Sequence, residues 1–481
     1  MGELYIVNSE FNNLDISAPI LKAIDKMGFD KMTKIQQEAI PQIIAGNDVV
    51  GVSHTGTGKT LAFAIPAIQM IDKNISSHPQ VLVLCPTREL AVQTFNEFKK
   101  LYAYDNFVKA AAIYGGENMV KQIGELKKGA NIIIGTPGRV QDHINRRTLK
   151  LDNIKMFVLD EADEMLNMGF KEDIELILSS VPQKRQTLLF SATMPQAIKD
   201  IIANYLTCPV YINIENKTQV LNLIEQLYFD IEKGRKKDAL ILLINYYMPS
   251  RAIVFCNTKL MVDELADFLT QNKINAIGLH GDMSQNARNL SMQGFKSSKN
   301  RILIATDVAA RGIDIYDVDI VFNFDLPQSS EYYMHRIGRT GRAGKTGLAI
   351  TLISSAAQQR SLLDIKKEVK SDIKKSFLPK PGSIKDKMVD SFIEELKIFM
   401  SKNNYEKYIK HVKHLSEQGY TEQNIAAALI AMNSGTDSMF LPSVYDRSDN
   451  FEKKPKDNFK SGRPKQTKEK NIKFNKKQGR R

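Results

Sequence analysis

The chain has 481 residues, enough for two to four domains with separate cores, and its 43% hydrophobic and 25% charged content is that of a soluble globular protein rather than a fibrous or wholly disordered one. The formal net charge of +13 favours a polyanionic partner. Residues 451–481 hold thirteen Lys or Arg against Glu452, Asp457 and Glu469, a net +10, so 13 − 10 leaves only about +3 on everything before them and the basicity belongs mainly to a tail.

The first 208 residues read as one α/β domain. Short apolar runs, Asp48–Val52, Val81–Leu84, Ile132–Ile134, Met156–Leu159 and Thr187–Phe190, alternate with longer helix-compatible segments. Near-continuous apolar strands indicate a parallel sheet covered on both faces, with ligands at the C-terminal strand ends. After a linker at 209–220 the pattern restarts over 221–357, with runs at Gln226–Phe229, Ala252–Phe255, Ile302–Ala305, Ile320–Phe322 and Leu348–Leu352. From 358 to 438 helical spacing takes over: Val389, Phe392, Ile393, Leu396, Phe399 and Met400 share one face, and Tyr405, Tyr408, Ile409, Val412 and Leu415 repeat it before Gly419. Residues 439–481 are too poor in apolar groups to offset chain entropy and are expected to be disordered.

Cys85, Cys208 and Cys256 are odd in number and lack CxxC spacing, which points away from a disulfide framework or zinc site. Two of them end apolar runs, as buried free thiols would in a reducing compartment. The N-terminus lacks the pattern of a signal peptide and no apolar run nears the roughly 18–20 residues that span a bilayer, so a cytoplasmic location is expected.

Two segments carry complementary chemistry. In Ser53-His54-Thr55-Gly56-Thr57-Gly58-Lys59-Thr60, between a strand and a helix, glycines let backbone N–H groups approach phosphates, Lys59 can reach the β- and γ-oxygens, and the Thr60 hydroxyl can ligate Mg²⁺. Ser53 stands where the strict phosphate-loop pattern has Gly. Asp160-Glu161-Ala162-Asp163 follows the run Met156–Leu159: one carboxylate at a buried strand end can hold Mg²⁺, and its neighbour can orient a water. An acidic quartet alone is more often solvated surface. Downstream, Arg336, Arg339 and Arg342 recur every third residue among glycines, a loop built to present guanidinium groups.

Over residues 11–355 these motifs resemble those of the DEAD-box ATP-dependent RNA helicases, which implies two tandem RecA-like domains with parallel sheets. The resemblance assigns Phe11 and Gln36, with Gly28, Thr33 and Ile35, to an adenine-reading motif, although Met32 and Lys34 replace the family's usual prolines. It assigns ATP contacts to Ser53 through Thr60, Gly312 and Asp314. Catalysis falls to Lys59, Asp160, Glu161, Arg339 and Arg342, with Thr60 and Asp160 on Mg²⁺. Ser191, Thr193 and His335 would couple hydrolysis to RNA, and Arg88, Gly116, Thr136, Gly138, Arg139, Arg288 and Thr306 would grip the RNA backbone.

The implied activity is an RNA-dependent ATPase that locally and non-processively unwinds short RNA duplexes and remodels RNA–protein complexes, in ribosome assembly, RNA turnover or cold adaptation. A rival reading is an ATP-dependent RNA clamp or scaffold in which unwinding is incidental. Residues 358–438 resemble the dimerisation region of bacterial cold-shock DEAD-box helicases, in Tyr408 and the Ala-rich run Asn424–Met432; they are expected either to make a homodimer or to dock on the second domain. Ribosomal or RNA-degradation proteins are further expected partners. The basic tail would hold RNA by phosphate charge, and so weaken with salt.

Overall fold

The apolar runs fold as expected into two parallel sheets in a computed structural model, which describes residues 10–53, 57–75, 78–214, 223–310, 315, 318–341, 345–402, 405–433 and 442. The first sheet contains β1 (Val49–Val52), β2 (Val81–Leu84), β3 (Ala110–Ile113), β4 (Ile132–Gly135), β5 (Met156–Leu159), β6 (Gln186–Ser191) and β7 (Val210–Asn213), in the order β3-β4-β2-β5-β6-β1-β7. Side chains alternate between two cores: Val81, Val83, Ile132, Ile134 and Val158 face one layer of helices, while Leu82, Leu84, Ile133, Phe157 and Leu159 face the other. Both faces are apolar, which is why these strands read as unbroken hydrophobic runs.

The second sheet repeats the plan. It contains β8 (Ile224–Asp230), β9 (Ala252–Cys256), β10 (Ala276–Leu279), β11 (Ile302–Thr306), β12 (Ile320–Asn323), β13 (Gly347–Ile353) and β14 (Lys374–Lys375), in the order β10-β11-β9-β12-β13-β8-β14. Counted from its own first strand, this is the order of the first sheet. In both, the loops that carry the motifs emerge from the C-terminal strand ends, beside one another.

Two boundaries move. β7 lies within the expected linker, yet it pairs in register with β1 from Val49↔Val210 to Val52↔Asn213, so the first domain extends beyond residue 208. Residues 215–222 lie outside the described part. The second domain likewise continues past 357: the helix Ala356–Val369 places Leu362 and Ile365 in a core with Tyr333, Ile337 and Ile373, and β14 pairs with β8. These residues belong to the sheet domain because its core, not one of their own, covers their apolar face.

The helical region therefore starts with the helix Pro381–Lys402, followed by a turn at Glu406–Tyr408 and helices Ile409–Glu417 and Glu422–Asn433. Gly419 supplies the left-handed step, φ +96°, after the middle helix. The first half of Pro381–Lys402 docks on the helix Lys236–Tyr247 of the second domain: Ile384 is buried, and the Lys387 ammonium lies 4.0 Å from the Tyr246 ring centre. Met388 and Phe392, with Ile244 and Met248, line a cavity of about 420 Å³. The second half does not dock; Ile398, Phe399 and Met400 stay about half exposed. Cys85 and Cys256 are buried free thiols, whereas Cys208 is exposed. Among the described residues no helix is long and apolar enough to cross a membrane. Apart from Pro442, the expected disordered tail, 439–481, lies outside the described residues.

Candidate nucleotide and RNA site between the domains

The phosphate loop joins β1 to the helix Lys59–Gln69, and its geometry explains the glycine before the lysine. Gly58 has φ +91°, and a Cβ there would lie 2.5 Å from the Gln36 amide nitrogen. Gln36 donates that amide to the Gly58 carbonyl at 3.1 Å and accepts from the Thr33 backbone N–H at 2.9 Å, so it ties the helix Lys34–Ile44 to the loop. Both groups of the amide thus have protein partners. Phe11 is fully enclosed in the core that also holds Ile35, with no ring face open to a base. Lys59 is buried and donates to the Ser53 carbonyl at 3.1 Å, and the Ser53 and Thr57 hydroxyls lie 3.1 Å apart. Thr60 follows in the first turn of the helix, partly exposed. His54, Thr55 and Gly56 lie outside the described residues.

The acidic motif leaves β5 beside this loop. Asp160 is 3% exposed, and its Oδ1 has no hydrogen-bond partner among the described residues. Burial raises its carboxyl above the usual range, while the nearby Lys59 charge opposes the rise. Glu161 is pushed up to about 7, first by burial and then against the pull of Lys59, with Asp160 adding to the rise and Arg339 opposing it. Its backbone is left-handed, φ 52° and ψ 53°, at the cap of the helix Ala162–Asn167; a non-glycine residue held there stores on the order of 1 kcal/mol. A buried, unpartnered carboxylate oxygen together with a threonine hydroxyl is a hard oxygen donor set, and it fits Mg²⁺.

Asp163 plays a different part from its neighbours. One oxygen accepts from the Ala192 and Thr193 backbone N–H groups at 3.1 and 2.8 Å and from the Thr193 hydroxyl at 2.9 Å. Ser191 donates to the Thr193 carbonyl at 2.6 Å. The acidic motif is thereby fastened to the Ser191-Ala192-Thr193 segment at the end of β6.

The second domain reaches this segment directly. Its helix Ser330–Ile337 brings Glu331 Oε1 to 3.1 Å from the Thr193 hydroxyl and 3.4 Å from Asn167 Nδ2, and His335 Nδ1 to 3.1 Å from Glu164. Asp163, Glu331 and His335 form one compact cluster. Arg339 is 4% exposed and near enough to stabilise ionised Glu161. Gly341, φ +68°, lets the loop lie against Ile224, where a Cβ would come within 2.5 Å. Arg342, Gly312 and Asp314 lie outside the described residues.

Arg336 does not face the cleft. It is 1% exposed; Nε and Nη2 bind the two Asp307 oxygens at 2.6 and 2.7 Å, Nη2 reaches Asn257 at 3.0 Å, and Nη1 reaches the Asp325 carbonyl at 2.6 Å. One guanidinium thus binds the loops after β9, β11 and β12 together. The basic run did not distinguish this internal tie from the arginines beside it. Glu331 and Glu164 also escaped the sequence reading; the clue for Glu331 was its position four residues before His335, on the same helix face.

On the expected RNA face, Arg88 is exposed and lies across Gly115 and Gly116, leaving no room for a Cβ on Gly116, whose φ is +84°. Thr136 stands at the N-terminal boundary of the helix Pro137–Asn145, without a side-chain capping bond, and is buried, while Gly138 opens onto free space. Thr306 accepts from the Ala309 backbone at 3.4 Å. Two expected RNA arginines have protein partners instead. Arg139 donates to the Glu117 carbonyl and the Gln122 side chain at 3.1 and 3.2 Å, and Arg288 binds Glu89 of the first domain at 2.9 and 2.7 Å.

Three family profiles match this chain: DEAD/DEAH box helicase over residues 33–201, helicase conserved C-terminal domain over 235–344, and RNA helicase DeaD dimerization domain over 379–443. The last match begins where the helical region separates from the second sheet. The DEAD-box ATP-dependent RNA helicase CshA of Bacillus subtilis (strain 168) is 44% identical over 87% of this chain and 84% of its own length. The ATP-dependent RNA helicase CshA of Listeria monocytogenes is 44% identical over 88% and 81%. Among solved structures, S. cerevisiae Dbp5 bound to RNA and ADP BeF3 is 31% identical with a TM-score of 0.70, covering 77% of this chain and 95% of that one. Identity at this level across more than four-fifths of these relatives' length, together with the divided site just described, makes the chain a member of the DEAD-box ATP-dependent RNA helicases.

Proposed function

We propose that this helicase hydrolyses ATP only when RNA holds its two domains together, and that closure separates short RNA duplexes locally and non-processively. The observation that carries the reading is the set of polar contacts across the cleft: the Thr193 hydroxyl, shared with Asp163, and Asn167 beside Glu331, and His335 within 3.1 Å of Glu164. Through Asp163, the segment that answers the second domain is the one that holds the acidic motif. The arrangement also compares more closely with Dbp5 bound to RNA and ADP BeF3, TM-score 0.70, than with a Dbp5 point variant bound to a Gle1 point variant and IP6, 0.64, or to Nup159, the same Gle1 variant, IP6 and ADP, 0.56.

In this mechanism Gln36 turns its amide from Gly58 to read adenine, and Phe11 supports it from the core. Lys59 and the loop amides hold the β- and γ-phosphates. Asp160 and Thr60 would hold Mg²⁺, which would spread the phosphate charge. Glu161, with its carboxyl near 7, orients the attacking water and takes its proton, a match of base strength to neutral pH. Arg339, joined by Arg342, neutralises charge developing on the γ-phosphoryl, an effect worth ~10³–10⁵ in rate. RNA phosphates and sugar hydroxyls lie against Arg88, Gly116, Thr136, Gly138 and Thr306, with Arg139 bracing that surface from behind. Binding energy drives closure to the extent that it differs between open and closed states.

The helical region docks on the second domain by one half of its first helix and makes a homodimer through the other, in a cytoplasmic enzyme of ribosome assembly, RNA turnover or cold adaptation. ATP turnover with and without single-stranded RNA or DNA tests the central reading. RNA is expected to stimulate and DNA not; Glu161→Gln should slow turnover by ~10²–10⁴ while ATP still binds. Equal stimulation by DNA, or RNA-independent turnover in the wild type, would overturn it.

A further inference from the structure

We infer that Glu89 and Arg288 form a closure latch on the RNA side of the cleft, a pair of positioning residues through which RNA affinity and domain closure are linked. The inference rests on the closure mechanism proposed above. Glu89 lies in the first turn of the helix Arg88–Leu101, and Arg288 in the first turn of the helix Gln285–Lys296 of the other domain. Arg288 Nε and Nη2 converge on one Glu89 oxygen at 2.9 and 2.7 Å, and Nη1 donates to the His280 carbonyl at 3.3 Å. The side chains are only 11% and 17% exposed, so the pair is screened far less than a surface ion pair.

Beyond the pair the two helices do not pack. Val92, Gln93 and Asn96 face Asn289, Met292 and Gln293 across a cavity of about 890 Å³. Charge, rather than apolar burial, therefore joins the domains here. The position also matters: Arg88, next to Glu89, is the exposed arginine that lies across Gly115 and Gly116. With the domains apart, the Glu89 carboxylate would stand unneutralised beside the phosphate path. With them together, Arg288 cancels it. The pair exists only in the closed arrangement, so its free energy counts toward that arrangement, and by reciprocity it tightens RNA by the factor with which RNA favours the latch.

A phosphate-gripping Arg288 predicts the opposite sign for Glu89, which makes the two roles separable. RNA titrations of ATP turnover are read for wild type, Glu89→Gln, Arg288→Gln and the exchange Glu89→Arg/Arg288→Glu, with melting curves as the check on folding. Both single variants should raise the RNA concentration for half-maximal stimulation by about 10-fold, and the exchange should return it to within about 3-fold of wild type. If Glu89→Gln tightens RNA or leaves it unchanged in an RNA-stimulated wild type, the latch is overturned. Should the exchange fail to fold, the sign of Glu89→Gln alone decides. Loss of RNA stimulation in the wild type itself would instead indict the closure mechanism.

Discussion

The two sheet domains share one strand order and differ in what stands at equivalent places. After its first strand each makes a loop with a left-handed glycine, Gly58 at φ +91° and Gly234 at φ +83°, and then starts a helix with a largely buried lysine, Lys59 or Lys236. Lys59 bonds within its own loop, to Ser53, and is followed by Thr60; Lys236 bonds the Phe324 carbonyl after β12, at 2.9 Å, and is followed by Lys237. Burial pulls the Lys236 ammonium below its usual range, with Asp325 opposing. In the second domain the corresponding lysine is thus a strut for the Phe324–Asp325 loop, which Arg336 also grips. The fold sets where a lysine stands; its partners set whether it holds phosphate.

The largest effect expected from this contrast is on catalysis. Lys59→Ala should lose ~10²–10³ in ATP turnover along with ATP affinity. Lys236→Met should leave ATP affinity within about 2-fold of wild type, while the unsatisfied Phe324 carbonyl costs about 1–3 kcal/mol of stability. Nucleotide binding and thermal melts on both variants measure the difference. An equal loss of ATP affinity in Lys236→Met would mean that the second domain binds phosphate too, and the contrast would fail.

Which residues were legible beforehand follows the same division between position and partnership. The inner strands were plain because covered parallel strands leave unbroken apolar runs. β3 and β10 were not: Ala110-Ala111-Ala112-Ile113 and Ala276-Ile277-Gly278-Leu279 are half-open sheet edges with little β-branched character. β14 is two exposed lysines that pair only by backbone, so it leaves no side-chain pattern. Most of the helix Ala356–Val369 falls inside the expected helical region 358–438, although the second sheet's core covers it, because a composition shift does not say which core will cover an apolar face. The site's loops were readable because their backbone chemistry is local. Its cross-domain bonds were not, since Thr193 and Glu331 are 138 residues apart, and Glu89 and Arg288 199 apart.

A smaller effect lies in stability against pH, and it sharpens what the first domain gives up for its site. Burial above all pushes the Glu161 carboxyl up from 4.5 to about 7. The folded state therefore keeps a proton, between those values, that the unfolded chain releases. Stability is fullest below the ordinary carboxyl range and falls as pH rises through about 7. Glu161→Gln has no such proton to lose. Its melting temperature should exceed that of wild type by a margin that grows from about pH 5 to about pH 8, to on the order of 5 °C. A constant margin would show that Glu161 is ionised throughout and that the strained, buried acid costs the fold little.

The last difference between the domains is what covers the helix that begins with the buried lysine. In the first domain the cover is Lys34–Ile44, the helix that carries Gln36; in the second it is the first half of Pro381–Lys402. Covering by Pro381–Lys402 makes the helical region part of the second domain along Ile384, Met388 and Phe392, and leaves Ile398, Phe399 and Met400 facing outward. Phe392→Asp places a charge at a half-buried site that lines the cavity shared with Ile244 and Met248, and should loosen the helical region from the core, lowering its melting temperature by a few degrees. Phe399→Asp adds a charge to an exposed site and should leave folding and RNA-stimulated turnover alone while abolishing self-association in sedimentation at micromolar concentration. If both variants sediment as the wild type does, the outward face is not a dimer contact. If Phe399→Asp alone dissociates the protein, one helix joins the region to its own core by its first half and to a second copy by its second, which would fix the orientation of two catalytic cores relative to each other.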